Sequence, residues 1–359
     1  MRILHVAQPR DGGVAGYVVA AGADQLARGW DVAVACPPDG RLAADLAQTG
    51  VPHRPWPATR GPSRATPGEV RALDRLLRSY RPDVVHLHAA KAGLAGRLCL
   101  RGRIPTLFQP HGWSWLAADG ALRIASVGWE RAAARWTDRM VCVGDQEAAL
   151  GRAARVGGHY AVIRNGVDLQ HFRPAGDTAR RAARARLGVP ERAPLAVCVG
   201  RLTRRKGQDV LLSAWEQVVP HCPDARLALV GAGELLPALR ARAVPGVSFA
   251  GAVTDVRDWL AAADVVTLPS RWEGLPLSAL ETMATGRPVV ASDIPGIAEI
   301  LAPGTGALVP PGRAGPTRRR AAAPAAGPRA GPGRGHRRRP ARRRIRRAAH
   351  LRPARRPDP

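Results

Sequence analysis

Two carboxylates, a short run of cations and several histidines are the side chains best placed for chemistry in this 359-residue sequence. Glu273 lies in Ser270-x-x-Glu273-Gly274-x-Pro276-Leu277, and Glu281 stands between that segment and Gly286-Arg287-Pro288-Val289-Val290. The pattern predicts a strand ending near Pro269, a helix starting near Leu275, and a stop at Gly286-Arg287-Pro288. Glu273 then sits at a strand-to-helix turn, where free backbone N–H groups favour an anion. Glu281 follows eight residues on, about 12 Å along a helix axis. That separation suits a diphosphate, with one carboxylate near a sugar and the other near a ribose. A second segment, Val199-Gly200-Arg201-Leu202-Thr203-Arg204-Arg205-Lys206-Gly207, also leaves a strand and opens a helix. Lysine occurs only at Lys91 and Lys206, and Lys206 stands with Arg201 where a phosphate would be held. Gly231-Ala232-Gly233-Glu234 is a third tight turn after a strand. His86 and His88 share one side of a strand and form a candidate metal pair, but no carboxylate or Cys nearby completes a set. Trp113 and Trp115, beside His111, are candidates for stacking on an acceptor sugar, as against a place in the core.

These residues need a frame. Short β-branched runs alternate with Ala/Leu/Arg helical stretches throughout. Strands are expected at 3–7, 31–36, 84–88, 106–109, 140–143 and 160–164, then at 195–199, 227–230, 247–250, 265–268, 289–292 and 307–309. Most are continuous apolar runs, as strands covered on both faces require. A helix is expected over 206–219, with Val210, Leu211, Ala214, Trp215 and Val218 on one face. The alternation predicts α/β architecture with parallel sheets. Two Rossmann-like domains follow, 1–174 and 195–312, the second incomplete, with a linker at 175–194 and a ligand cleft between the carboxyl ends of the sheets. A Pro-rich loop is expected at 52–67.

The formal charge of +27 is unevenly spread. Residues 313–359 hold 17 arginines and one acid, whereas residues 1–312 carry +11. With only Ile345 and Leu351 as sizeable apolar groups, the tail is expected to be disordered. Its composition changes abruptly inside an unfinished domain, as a shifted reading frame in GC-rich DNA would produce. The rival reading is an arm for nucleic acid or an anionic membrane. The N-terminus turns polar within ten residues, unlike a secretory leader, and no run of 18 apolar residues appears. The five cysteines are scattered without CxxC, and four sit in apolar runs as buried thiols would in a reducing cytoplasm.

Several motifs in order make the chain resemble the GT-B retaining glycosyltransferases of family 4 over nearly all of residues 1–312. The Glu-x7-Glu motif matches Glu273 and Glu281, and the G-R-L…K-G motif matches Gly200-Arg201-Leu202 and Lys206-Gly207. Asn165-Gly166-Val167-Asp168 matches the linking loop, Val84-Val85-His86-Leu87-His88 the H-x-H strand, His111 the interdomain histidine, and Gly12-Gly13 the early diglycine. The resemblance implies a hexosyltransferase that uses a nucleotide-sugar donor without metal or other cofactor, consistent with the lack of any Asp-x-Asp. It gives Arg201 and Lys206 the leaving diphosphate, Glu281 the ribose, and Glu273 the sugar hydroxyls beside the N–H groups of Gly274, Leu275 and Leu277. It has His111 reach the donor sugar and Gly12 and Gly13 admit phosphate or acceptor, with the base near residues 251–255. The acceptor would be a saccharide or lipid-linked saccharide, and the location cytoplasmic, resting on an anionic membrane through arginines such as Arg54, Arg60, Arg64 and Arg71. Nucleic acid is not an expected partner. A GT-B epimerase or phosphorylase, and a scaffold or polyanion-binding protein using the tail, stay open. Family members continue into helices beyond the turn at residues 306–312. Losing them would cost on the order of 10 kcal/mol of burial.

Overall fold

A computed structural model of the chain describes residues 1–242, 244–301 and 304–312. The Arg-rich tail lies outside the described residues. Two parallel sheets organise the rest. The first runs β3-β2-β1-β4-β5-β6-β7, from β1 (Arg2–Ala7), β2 (Asp31–Cys36), β3 (His53–Pro55), β4 (Val84–His88), β5 (Thr106–Gln109), β6 (Arg139–Cys142) and β7 (Tyr160–Val162). The second runs β10-β9-β8-β11-β12-β13, from β8 (Leu195–Val199), β9 (Arg226–Val230), β10 (Val247–Gly251), β11 (Val265–Leu268), β12 (Val289–Ser292) and β13 (Gly306–Val309). In both sheets the chain order reverses beside the first strand, between β1 and β4 and between β8 and β11. Crevices at such reversals are where doubly wound sheets bind ligands.

The strands expected from apolar runs are present within a residue or two of their predicted ends, and most are buried on both faces. β3 was not expected. His53-Arg54-Pro55 has no apolar signal, and it is a strand because it pairs along the outer edge of β2, where Pro is tolerated. Directly after it, fully buried Trp56 donates through Nε1 to the Glu69 carbonyl at 2.9 Å. The rest of the Pro-rich loop is pinned by Lys91, whose Nζ lies 2.5 Å from Glu69 Oε2 and donates to the Gly61 carbonyl and Thr66 Oγ1. One of the two lysines thus serves a buried ion pair.

The predicted helix over 206–219 is broken. A short turn, Arg204–Lys206, precedes a helix at Gln208–Trp215, and Gly207 between them has φ +69°. A Cβ on Gly207 would run into the Pro269 carbonyl. That close approach brings the cationic turn against the end of β11. Within the expected linker, the helix Asp177–Leu187 packs into the second sheet's core through Ala183 and Leu187. Buried Arg184 donates there to the carbonyls of Ala262, Pro190, Glu191 and Ala193 and to Asp264. Cys36, Cys99, Cys142 and Cys198 are buried thiols and Cys222 is half-buried.

Candidate active site

All the residues singled out for donor chemistry converge on the facing ends of the two sheets. Gly12 and Gly13 follow β1 and begin the helix Gly12–Ala27. Arg201 follows β8, and its Nε lies 3.9 Å from Asp11 and against the Gly12 turn. The Leu277 side chain lies where a Cβ on Gly13 would be 3.5 Å away. His111 follows β5 in a left-handed conformation, φ +52°. A Cβ on Gly274 would stand 3.4 Å from the Gly112 nitrogen and 3.5 Å from the His111 carbonyl carbon. The two halves therefore meet main chain to main chain at this point. Leu275 is buried, and its carbonyl accepts from Asn165 Nδ2 at 2.7 Å.

The cationic turn and the glutamate turn are joined by charge. Lys206 Nζ lies 2.6 Å from Glu273 Oε1, and Arg205 Nη2 lies 2.5 Å from Oε2. Ser270 Oγ donates to Oε1 at 2.8 Å. Burial alone would raise the Glu273 carboxyl, but Lys206 and Arg205 override it and hold it at about 2. Both of its oxygens are thus engaged by protein groups. Three cations, Arg201, Arg205 and Lys206, gather at the cleft, Arg201 beside Asp11 and the other two on Glu273. Glu281 lies on the helix Leu277–Ala284. Burial pushes its carboxyl up and Lys206 draws it back down. Gln208, fully buried, donates to the Arg201 carbonyl at 3.0 Å and steadies that loop.

Four contributors escaped the sequence reading. Arg205 was legible only as one more cation in Arg204-Arg205-Lys206. Glu147 is buried 35 residues from the turn it holds, accepting from the backbone N–H of Gly112 at 2.5 Å and of Val143 at 2.8 Å. Glu299, on the second half, accepts from the N–H groups of Asp145 and Gln146 at 2.9 and 3.1 Å and so caps the helix Asp145–Ala153 of the first half. His5 joins His86 and His88, with one ring nitrogen of each within 4.8 Å of the others, so a third nitrogen stands beside the H-x-H pair.

Of the two readings of the tryptophans, the structure favours the place in the core. Trp113 and Trp115 are buried and stack on each other at 4.5 Å, and Trp113 Nε1 donates to the Glu147 carbonyl. They belong to the first core. The segment expected near the base, residues 251–255, receives Arg41 of the first half, which donates to the carbonyls of Val253 and Thr254.

Comparison with known proteins agrees with this geometry. Residues 11–171 match the family model described as Glycosyltransferase Family 4, and residues 193–319 match Glycosyl transferases group 1. The chain is 31% identical over 274 residues to a GDP-mannose-dependent monoacylated alpha-(1-6)-phosphatidylinositol monomannoside mannosyltransferase of Corynebacterium glutamicum, covering 71% of this chain and 69% of that one. It is 30% identical to a UDP-Gal:alpha-D-GlcNAc-diphosphoundecaprenol alpha-1,3-galactosyltransferase of Escherichia coli, covering 63% of this chain and 61% of that protein. The crystal structure of Anabaena Alr3699/HepE with UDP and glucose superposes with a TM-score of 0.75 at 22% identity, covering 89% of this chain and 88% of that one. Paired parallel sheets, matching models on both halves and relatives of this kind establish that the chain belongs to the group 1 glycosyltransferases of family 4 and has the GT-B fold.

Proposed function

We propose that this glycosyltransferase moves a hexose from a nucleotide-diphosphate donor, with retention of anomeric configuration, to a saccharide or lipid-linked acceptor of the cell envelope. The observation that carries the reading is the meeting of Arg201, Arg205 and Lys206 with Glu273, Glu281 and the Gly12-Gly13 turn at both chain reversals. Bond breaking at the anomeric carbon leaves charge on the β-phosphate. Fixed cations in a partly desolvated cleft stabilise that charge more in the transition state than in the ground state. The clustered cations suit a diphosphate, which competes with Glu273 for Lys206 and Arg205. Glu281 accepts from ribose hydroxyls, and Glu273 with the N–H groups of Gly274, Leu275 and Leu277 orients the sugar. No side chain acts as a covalent nucleophile or binds a metal in this scheme. The acceptor hydroxyl attacks the face that the phosphate leaves and passes its proton to a phosphate oxygen. The relatives differ in nucleotide, GDP in one name and UDP in another, so the base is left to experiment.

The same proposal seats the enzyme peripherally on an anionic inner membrane face. Exposed Leu122 and Ile124 flank exposed Arg123 on the helix Gly120–Ala133, and Arg54, Arg60, Arg64 and Arg71 are exposed on the same half. Among the described residues, no helix is long and apolar enough to cross a membrane.

Thermal shift against UDP, GDP and ADP tests the donor site, since a ligand bound only by the folded state raises the midpoint. One nucleotide is expected to raise the midpoint by several degrees in the parent chain. The gain should vanish in Arg201→Ala and Lys206→Ala. A sharp transition that no nucleotide moves would overturn the donor-site reading. Nucleotide release from the matched donor in the absence of any acceptor would point to epimerase or hydrolase chemistry instead.

A further inference from the structure

A chain of buried imidazoles runs from the surface of the first half to the cleft. Gln25 Oε1 lies 2.8 Å from His5 Nε2, His5 Nδ1 lies 2.8 Å from His88 Nε2, and His88 Nδ1 lies 3.1 Å from His111 Nε2. His5 and His88 are fully buried on adjacent strands β1 and β4. Burial holds the rings of His5, His88 and His111 below the usual histidine range, with Arg205 adding to the effect at His111. Each ring is therefore neutral, with one donor nitrogen and one acceptor nitrogen.

That stoichiometry orders the protons. Where both nitrogens of a neutral ring are hydrogen-bonded, a donor role at one fixes an acceptor role at the other, and the constraint passes to the next ring. Gln25 presents its carbonyl oxygen, so His5 donates from Nε2 and accepts at Nδ1. His88 then donates from Nε2 and accepts at Nδ1, and His111 donates from Nε2. His111 Nδ1 is left without a proton. We infer that the Gln25–His5–His88–His111 chain is a positioning relay that fixes His111 as a hydrogen-bond acceptor for a hydroxyl of the donor sugar.

An apolar residue at position 5 or 88 would pack equally well but would let His111 choose its tautomer. Four polar groups in a buried line make sense as a way of specifying one proton position. His86, whose ring lies 4.0 Å from that of His88, has a buried Nε2 with no partner and stands outside the relay. The sugar-facing part of the inference rests on the donor-site reading, whereas the proton order does not.

The experiment uses the full chain labelled with 15N-histidine and long-range proton–nitrogen correlation near pH 7. His5, His88 and His111 are expected as single Nε2–H tautomers that stay neutral at pH 6. Gln25, half-buried at the far end, does not touch His111. Gln25→Leu is expected to introduce the Nδ1–H form of His111 and to raise KM for the donor about tenfold with a smaller change in kcat, the loss of roughly one hydrogen bond. Gln25→Glu, which can only accept when ionised, should retain the parent tautomer and KM. A His111 tautomer that ignores Gln25→Leu overturns the relay. So does a stoichiometric metal ion found by mass spectrometry with metal-shifted His5, His86 and His88 nitrogens. The expected tautomers in a chain that binds no nucleotide sugar would overturn the sugar-facing role and the donor-site reading, leaving the proton order intact.

Discussion

His111 shows how a single residue couples stability to function. Its imidazole sits at about 3 because burial, then Arg205, disfavours the charged ring, while in the unfolded chain it titrates near about 6.5. The unfolded state therefore binds a proton that the fold refuses. The stability from this group is intact above about pH 6.5 and declines as the pH falls towards 3, by about 2 kcal/mol at pH 5. His5, His86 and His88, also lowered by burial, add in the same sense. Glu273, held at about 2, gives stability that is present above the normal glutamate range and is lost only as the pH falls below it. Glu147 and Glu281, raised by burial, act in opposition, so a comparison of variants isolates the histidine. The urea midpoint of His111→Gln should fall less between pH 7 and pH 5 than that of the parent, and an equal fall would show that His111 is not the group responsible. Glu273, Glu281, Arg201 and Lys206 were legible in the sequence because each lies within a few residues of the turn that aims it. His5, Glu147 and Glu299 were not, since each acts on a partner that only the fold brings near.

At the scale of elements, the parallel strands were readable because burial on both faces leaves continuous apolar runs. β3 was not, because pairing with β2 holds it and its own side chains do not announce it. The break at Gly207 was hidden for a related reason: the periodicity of residues 206–219 is helical, and the left-handed Gly207 that breaks it packs against the Pro269 carbonyl, a contact only the fold supplies. The helix Asp145–Ala153 adds a different lesson. Its own Gly144 offers no capping side chain, and Glu299 of the other half supplies the acceptors. A Cβ at Gly144 would approach Glu299 Oε2 to 2.5 Å, although the extended backbone there accepts alanine. Gly144→Ala and Glu299→Ala should each cost about 1–2 kcal/mol in urea denaturation. The double variant should cost little more than either one, because both remove the same cap. Fully additive costs would mean that Gly144 and Glu299 do not share an interaction.

Across the whole molecule, the charge distribution separates two tasks. The cleft concentrates cations, while the first half exposes Arg54, Arg64 and Arg71 and, on one helix, Arg123 between Leu122 and Ile124. Co-sedimentation with phosphatidylglycerol vesicles should exceed that with phosphatidylcholine vesicles and weaken in high salt. Ile124→Asp should reduce it several-fold without altering the nucleotide-induced thermal shift. Equal binding to both vesicle types, or none, would remove the membrane from the proposal. The seam between the halves has a further property. Arg41 donates to the carbonyls of Val253 and Thr254, Asn165 to the carbonyl of Leu275, and Glu299 accepts from the N–H groups of Asp145 and Gln146. In each case a side chain on one half addresses main-chain atoms on the other, and main-chain atoms survive substitution of the residue that carries them. At these points the residues that carry the main-chain atoms can drift in evolution without compensating change across the join, whereas the pairs Arg201–Asp11, Arg204–Asp119 and Arg164–Glu299 tie side chain to side chain. Under the proposed function, an exchanged second half that reads another sugar nucleotide would need to keep only those side-chain pairs, the rest of the seam being met by main chain.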